Sequence, residues 1–129
     1  MGDGTPQGIR VLLADDDEHF VAALRELIAG QPNLEVVGTA ADGLEAIERA
    51  DELEPDAVVI DLHMPLLDGV TAVARLRTDH PSLCVIALTG DDAPKLHAAV
   101  QEAGADGVLL KRELVDALSD QIARASARS

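Results

Sequence analysis

Five short apolar runs alternate with longer stretches in which apolar and polar residues recur at helical spacing. The runs are Ile9–Ala14, Leu34–Ala40, Ala57–Ile60, Leu83–Leu88 and Gly107–Leu110, rich in Val, Ile and Leu. Each has strand length, and near-continuous apolarity is what strands covered on both faces require. Between them, Phe20, Leu24, Leu27 and Ile28 fall at i, i+4, i+7 and i+8. Leu96, Ala99, Val100 and Ala103 repeat at i, i+3, i+4 and i+7, and Leu114, Leu118 and Ile122 at i, i+4 and i+8. Each set forms one apolar stripe on a helix.

Start and stop signals agree with that division. Asp42 followed by Glu45 reads as a capping box, Asp68 as the cap of a third helix, and Pro94 as the first turn of a fourth. Gly30 and Gly104 stand where helices should stop. The alternation predicts a (βα)5 α/β domain: a doubly wound, five-stranded parallel sheet with right-handed crossovers and helices on both faces. No repeat or linker divides the chain, so one domain is expected over residues 8–125, with 1–7 and 126–129 as flexible ends.

A length of 129 residues suits one domain with its own core. The formal charge of −14 opposes nonspecific binding to nucleic acid or to an anionic membrane. Phe20 is the one aromatic residue, which removes base stacking as a binding mode. The single cysteine, Cys84, lies in an apolar run and cannot form an intramolecular disulfide, as suits a reducing cytosol. The opening MGDGTPQG has neither the basic nor the apolar region of a secretory leader, and no apolar run approaches the ~20 residues of a membrane span. A cytoplasmic location is expected.

The chemistry gathers at the strand ends. The first strand runs into Asp15-Asp16-Asp17, the third ends at Asp61, the fourth at Thr89, and the fifth meets Lys111. In a doubly wound sheet, ligands bind beyond this carboxyl edge. A dinucleotide or P-loop site would need glycines and free N–H groups after the first strand. The loop DDDEH offers neither and would repel a phosphate. Clustered carboxylates call for protonation or a hard divalent cation, and Mg²⁺ takes oxygen ligands of this kind. The same acids could instead cap a helix and face solvent. Lys111 precedes a helix start, where a cation opposes the dipole, so an anion at the strand ends would explain it. His19, His63, His80 and His97 show no metal-ligand spacing.

Together, VLLADDD, VVIDLHMPLLDG, IALTG and GADGVLLK resemble the receiver domains of two-component response regulators. The style is most like the subfamily with a C-terminal helix-turn-helix DNA-binding domain. The resemblance implies a flavodoxin-like receiver fold with strand order 2-1-3-4-5. It implies that Asp61 is the phosphoacceptor, attacking a phosphohistidine on a sensor histidine kinase or a small phosphodonor. Asp15, Asp16, Asp61 and the backbone carbonyl of His63 would hold Mg²⁺, with Mn²⁺ as a substitute. Thr89 and Lys111 would move to the phosphoryl group, and the changed surface would control an output, here transcription through a DNA-binding domain outside this chain. Homodimerisation on phosphorylation is part of that picture. Direct binding of nucleic acid by this domain is not, nor is membrane binding. The chain would catalyse only its own phosphorylation and dephosphorylation and so is not expected to be an enzyme in the usual sense.

Several positions depart from the family or vary within it. Val108 stands where many members carry Tyr or Phe, Arg112 where a proline often follows the lysine, and Gly90 follows Thr89. His63 and Asp91 occupy the positions that tune hydrolysis of the phosphate. Asp17 is left as a solvated acid. Two alternatives remain: a phosphorylation-independent interaction module, and a phosphatase with Asp15 as nucleophile and Asp17 as acid.

Overall fold

A computed structural model describes residues 8–64, 66–90 and 93–113, with the backbone alone at Arg112. Along the chain come β1 (Ile9–Ala14), α1 (Glu18–Ala29), β2 (Leu34–Ala40), α2 (Gly43–Leu53) and β3 (Ala57–Asp61). There follow α3 (Gly69–Asp79), β4 (Cys84–Thr89), α4 (Pro94–Ala103) and β5 (Gly107–Leu110). The strands form one parallel sheet ordered β2-β1-β3-β4-β5, as expected. A single 3₁₀ turn, Lys111–Glu113, follows β5. The expected fifth helix with Leu114, Leu118 and Ile122 lies outside the described residues, as do Pro65, Asp91 and both chain ends.

Alternation along the strands explains the continuous apolar runs. Leu12, Ala14, Val58, Ile60, Val85 and Ala87 face a core closed by α2, α3 and α4. Their neighbours Val11, Leu13, Val59, Ile86 and Leu88 face the other side, where α1 supplies Leu24 and Ile28. Cys84 belongs to this second cluster and is buried, as its setting in the sequence suggested. Each fully buried aliphatic side chain contributes about 1.5–3 kcal/mol, so two filled faces hold the sheet rigid. The rigid sheet then fixes where the strand ends point.

Helix boundaries follow the caps. Asp42 Oδ1 accepts from the Glu45 N–H at 2.8 Å, while Glu45 Oε1 reaches back to the N–H of Ala41 at 2.7 Å. The reciprocal arm of the capping box thus lands one residue before the cap. Gly30 and Gly104 both end helices, but Gly30 stays right-handed (φ −78°) and Gly104 takes φ 122°. A Cβ on Gly104 would also lie 2.7 Å from Arg77 Cγ. That closeness lets Arg77 donate from Nε and Nη2 to the Gly104 carbonyl and from Nη2 to Asp106 Oδ2, tying α3 to the α4–β5 turn.

Asp68 caps α3: its Oδ1 accepts from the Thr71 N–H at 2.9 Å and its Oδ2 from the Thr71 hydroxyl at 2.7 Å. These two bonds, the hydroxyl's first, hold the Asp68 carboxyl below its ordinary 3.8. An acid with a depressed folded pKa stabilises above its unfolded value and loses that contribution as pH falls through the folded one. Asp68→Ala is therefore expected to cost about 1 kcal/mol at neutral pH. The difference from wild type should close in acid, below 3.8, as read by urea unfolding at both pH values. A deficit that is constant with pH would show that the cap is not the cause.

Candidate functional site

Asp15, Asp16, Asp61, Thr89 and Lys111 meet at the carboxyl edge of the sheet because the pairings β1–β3, β3–β4 and β4–β5 bring their strand ends into line. Asp61 and Thr89 are the last residues of β3 and β4, as the sequence suggested. Both are buried, with Asp61 3% and Thr89 0% exposed; Asp15 is 4% exposed and Asp16 is open to solvent.

The loop after β3 is pinned by Gly69. A Cβ there would lie 2.5 Å from Leu62 Cα, so only glycine lets α3 start this close to the strand end. That packing sets the His63 N–H to donate to Asp61 Oδ1 at 3.1 Å. In the same loop, Leu66 is 75% exposed with φ 74°, a left-handed conformation uncommon for a leucine.

Lys111 lies among the carboxylates. Its Nζ donates to Asp61 Oδ2 at 3.2 Å and pairs with Asp15 Oδ2 at 2.9 Å, the latter without hydrogen-bond alignment. Asp15 Oδ2 is thus fully buried and held by the Lys111 ion pair, with no aligned hydrogen bond among the described residues, whereas Oδ1 accepts from the Asp17 N–H at 2.9 Å. Burial pushes the Asp15 carboxyl above its ordinary 3.8, and the charge of Asp61 adds to this; the Asp17 N–H and Lys111 oppose it. For Lys111, burial alone would lower the pKa. The contacts and charges of Asp15 and Asp61 outweigh it, and the ammonium is held above its ordinary 10.5.

Carboxylate oxygens of Asp15, Asp16 and Asp61 lie within 4.8 Å of one another. An oxygen-only set, in which the buried Asp15 Oδ2 has no aligned hydrogen bond among the described residues, fits a hard divalent cation such as Mg²⁺. A cleft of about 270 Å³ opens beside these groups, lined by Asp15, Asp16, Glu18, Thr39, Glu45 and Arg49. A larger cleft of about 680 Å³, at the amino ends of β3 and β4, brings together acids and His80 but no comparable set.

Asp17 is exposed, as expected, and of the three acids it is the one that caps a helix: its Oδ1 accepts from the N–H groups of His19 and Phe20, making it the N-cap of α1. Two features were not foreseen. His63 Nε2 lies 3.2 Å from Thr89 Oγ1, across the ends of β3 and β4. Lys111 Nζ stands 4.5 Å from the centroid of the Phe20 ring. Val108 packs against the α2–α4 side of the core, so the position that is often aromatic holds a small, partly buried aliphatic group. Asp91 lies outside the described residues, as does the side chain of Arg112.

Comparison with known proteins places this geometry. The response regulator receiver domain model matches residues 11–123. The response regulator protein VraR of Staphylococcus aureus is 35% identical over 118 residues, 92% of this chain and 56% of VraR. The chain thus spans little more than half the length of that relative. Among solved structures, the response regulator domain of Thermotoga maritima CheB superimposes with a TM-score of 0.87 at 30% identity, covering 94% of this chain and 98% of that one. A LuxR-family two-component response regulator from Aurantimonas sp. SI85-9A1 gives 0.82 at 30% identity, over 92% and 87% of the two chains. With its sheet order, its strand-end acids and these relatives in agreement, the chain belongs to the response regulator receiver domain family.

Proposed function

We propose that this receiver domain is a phosphorylation switch whose acceptor is Asp61. The observation that carries the reading is a carboxylate 3% exposed at the end of a core strand, between a lysine and two further aspartates. The Asp61 oxygen attacks phosphorus in line with the donor nitrogen of a sensor kinase phosphohistidine. An O–P bond forms as the P–N bond breaks, and a protonated donor ring leaves as neutral imidazole. Asp15, Asp16, Asp61 and the His63 carbonyl would hold Mg²⁺ (or Mn²⁺), which supplies charge neutralisation for a loose phosphoryl transition state. Lys111 supplies a second positive charge from the β5 side.

The product carries nearly two negative charges and three acceptor oxygens. Lys111 and Thr89 are drawn to it, and Thr89 exchanges its contact with His63 for a phosphoryl oxygen. That differential contact moves the start of the β4–α4 loop, which is how one covalent change becomes a new surface. His63 and Asp91 would set the lifetime of the phosphate. The Asp17 carboxylate is committed to two helix N–H groups, which speaks against its serving as the acid of an Asp15-nucleophile phosphatase.

The switch acts in the cytoplasm. Among the described residues no helix is long and apolar enough to cross a membrane. The LuxR-family likeness supports transcription control by a DNA-binding segment outside these residues as the output, with phosphorylation favouring a homodimer. The domain's chemistry is confined to its own phosphorylation and dephosphorylation. The test is incubation with acetyl phosphate and Mg²⁺, followed by borohydride trapping and peptide mass mapping. Conversion of one aspartate to homoserine, at Asp61, is expected, because borohydride displaces the phosphate from an aspartyl phosphate; no conversion, or one at another aspartate, overturns the reading.

A further inference from the structure

Lys111 is held on three sides. Its Nζ meets Asp15 Oδ2 at 2.9 Å, Asp61 Oδ2 at 3.2 Å and the Phe20 ring at 4.5 Å from the centroid. A ring face within about 6 Å attracts an ammonium through its quadrupole, and more strongly where water is reduced. Phe20 is the chain's only aromatic side chain. Its position comes from α1, because Asp17 Oδ1 accepts from the Phe20 N–H at 3.1 Å. The ring is partly buried and packs against the cluster that contains Leu24, Leu88 and Leu109. The three consecutive aspartates therefore divide their work. Asp15 and Asp16 bring carboxylates to the strand ends, and Asp17 fixes the helical turn that presents the ring to the lysine.

We propose that Phe20 is a positioning residue for Lys111, holding the ammonium where the phosphoryl oxygens arrive and coupling the first turn of α1 to the state of Asp61. The proposal rests on the phosphoacceptor reading above. A lysine ammonium is a compact charge on a flexible four-carbon stem, so it needs a wall as well as a partner. Carboxylates attract it from the strand ends, and the ring face bounds it from the α1 side. When Asp61 carries a phosphoryl group, the ammonium turns to the new oxygens and its place over the ring changes. The turn of α1 that carries Phe20 thus senses phosphorylation in a chain whose position 108 has no aromatic side chain to move.

The chain has two lysines, Lys95 and Lys111, so protein labelled with ¹³C-lysine gives two ε-methylene signals. In the wild type without phosphodonor, the Lys111 protons should lie upfield of those of Lys95, shifted by the ring current. Beryllofluoride with Mg²⁺ should move the Lys111 signal and leave that of Lys95. Phe20→Leu keeps an apolar side chain against Leu24; it should abolish the upfield shift and slow loading from acetyl phosphate by roughly 2- to 5-fold. Phe20→Tyr, which keeps a ring face, should restore both. Coincident lysine signals in the wild type, or a leucine variant that loads at full speed, would overturn the proposal. A tyrosine variant as slow as the leucine one would do so too. A wild-type protein that takes up no phosphoryl group instead overturns the phosphoacceptor reading and the coupling with it. The ring-current shift of the resting protein separates the two failures.

Discussion

Asp61→Asn is expected to take up no phosphoryl group from acetyl phosphate while folding as well as the wild type. An amide is no nucleophile toward phosphorus at neutral pH, yet its oxygen can still accept the His63 N–H that Asp61 Oδ1 accepts at 3.1 Å. The variant should also change the resting protein. Asp15 is raised above 3.8 by burial first and by the charge of Asp61 in part. An acid raised on folding subtracts stability as pH climbs from its unfolded value through its folded one. The metal-free wild type should therefore lose stability over that interval, and Asp61→Asn should lose less.

Mg²⁺ should stabilise the wild type at neutral pH and the asparagine variant less, because a bound ligand adds stability only as its affinity allows. Intact mass after acetyl phosphate, and urea unfolding with and without Mg²⁺, read both effects. A variant labelled at the wild-type rate would move the acceptor elsewhere. Asp15→Asn is the informative contrast. On the present reading it weakens Mg²⁺ stabilisation and slows loading, whereas an Asp15 nucleophile would make it the variant that abolishes the covalent adduct.

The buried carboxylate of Asp61 was legible because an acid at the end of an apolar strand is costly and needs a reason, whereas its reading as an acceptor came from the family resemblance. The same logic found Asp15, Lys111 and the cap at Asp68. Which of the three acids caps α1 was left open because identical acids in a row differ only in where the helix begins, and boundaries of that precision are not written in periodicity. The His63–Thr89 contact had a partial signal. Asp61 pairs with Leu88 in the sheet, so positions 63 and 89 share one edge, but side-chain direction in the loop is set by how closely Gly69 approaches Leu62. Phe20 was assigned to a core stripe, and nothing in the spacing of positions 20 and 111 reports that the Lys111 side chain reaches from the end of β5 to the first turn of α1. Leu66 carries φ 74° with no glycine or asparagine to announce it. Strands, caps and charged strand ends are local signals, whereas contacts between elements arise only once the sheet order is realised.

Lys111→Met should produce the second large effect, on stability and on phosphoryl uptake together. Asp15 and Asp61 are 4% and 3% exposed, and the ammonium lies within 3.2 Å of both. Removing one partner of a buried ionic cluster leaves uncompensated charge, at a cost of about 3–5 kcal/mol. The lysine side chain is 26% exposed, so the low end of that range is expected. Lys111 is raised above 10.5, so the ammonium stays charged throughout the range below that value and is lost only as pH rises through the folded pKa; within that range its contribution depends on ionised partners. In the variant, the deficit should open as pH climbs through the raised folded pKa of Asp15 and narrow in acid, where that carboxyl is protonated. Mg²⁺ should recover much of it at neutral pH by restoring positive charge to the same oxygens. It should not restore the chemistry. Loss of a preorganised cation at the transferring group costs about 10²–10³-fold in rate. Methionine keeps the length of the stem and a contact for the Phe20 ring, so the comparison isolates charge. Urea titrations run from acid to neutral pH with and without Mg²⁺, set beside acetyl phosphate loading, separate the two deficits. Loading at the wild-type rate, or a stability loss that does not change with pH and is indifferent to Mg²⁺, would show that Lys111 is not the counter-charge of this site.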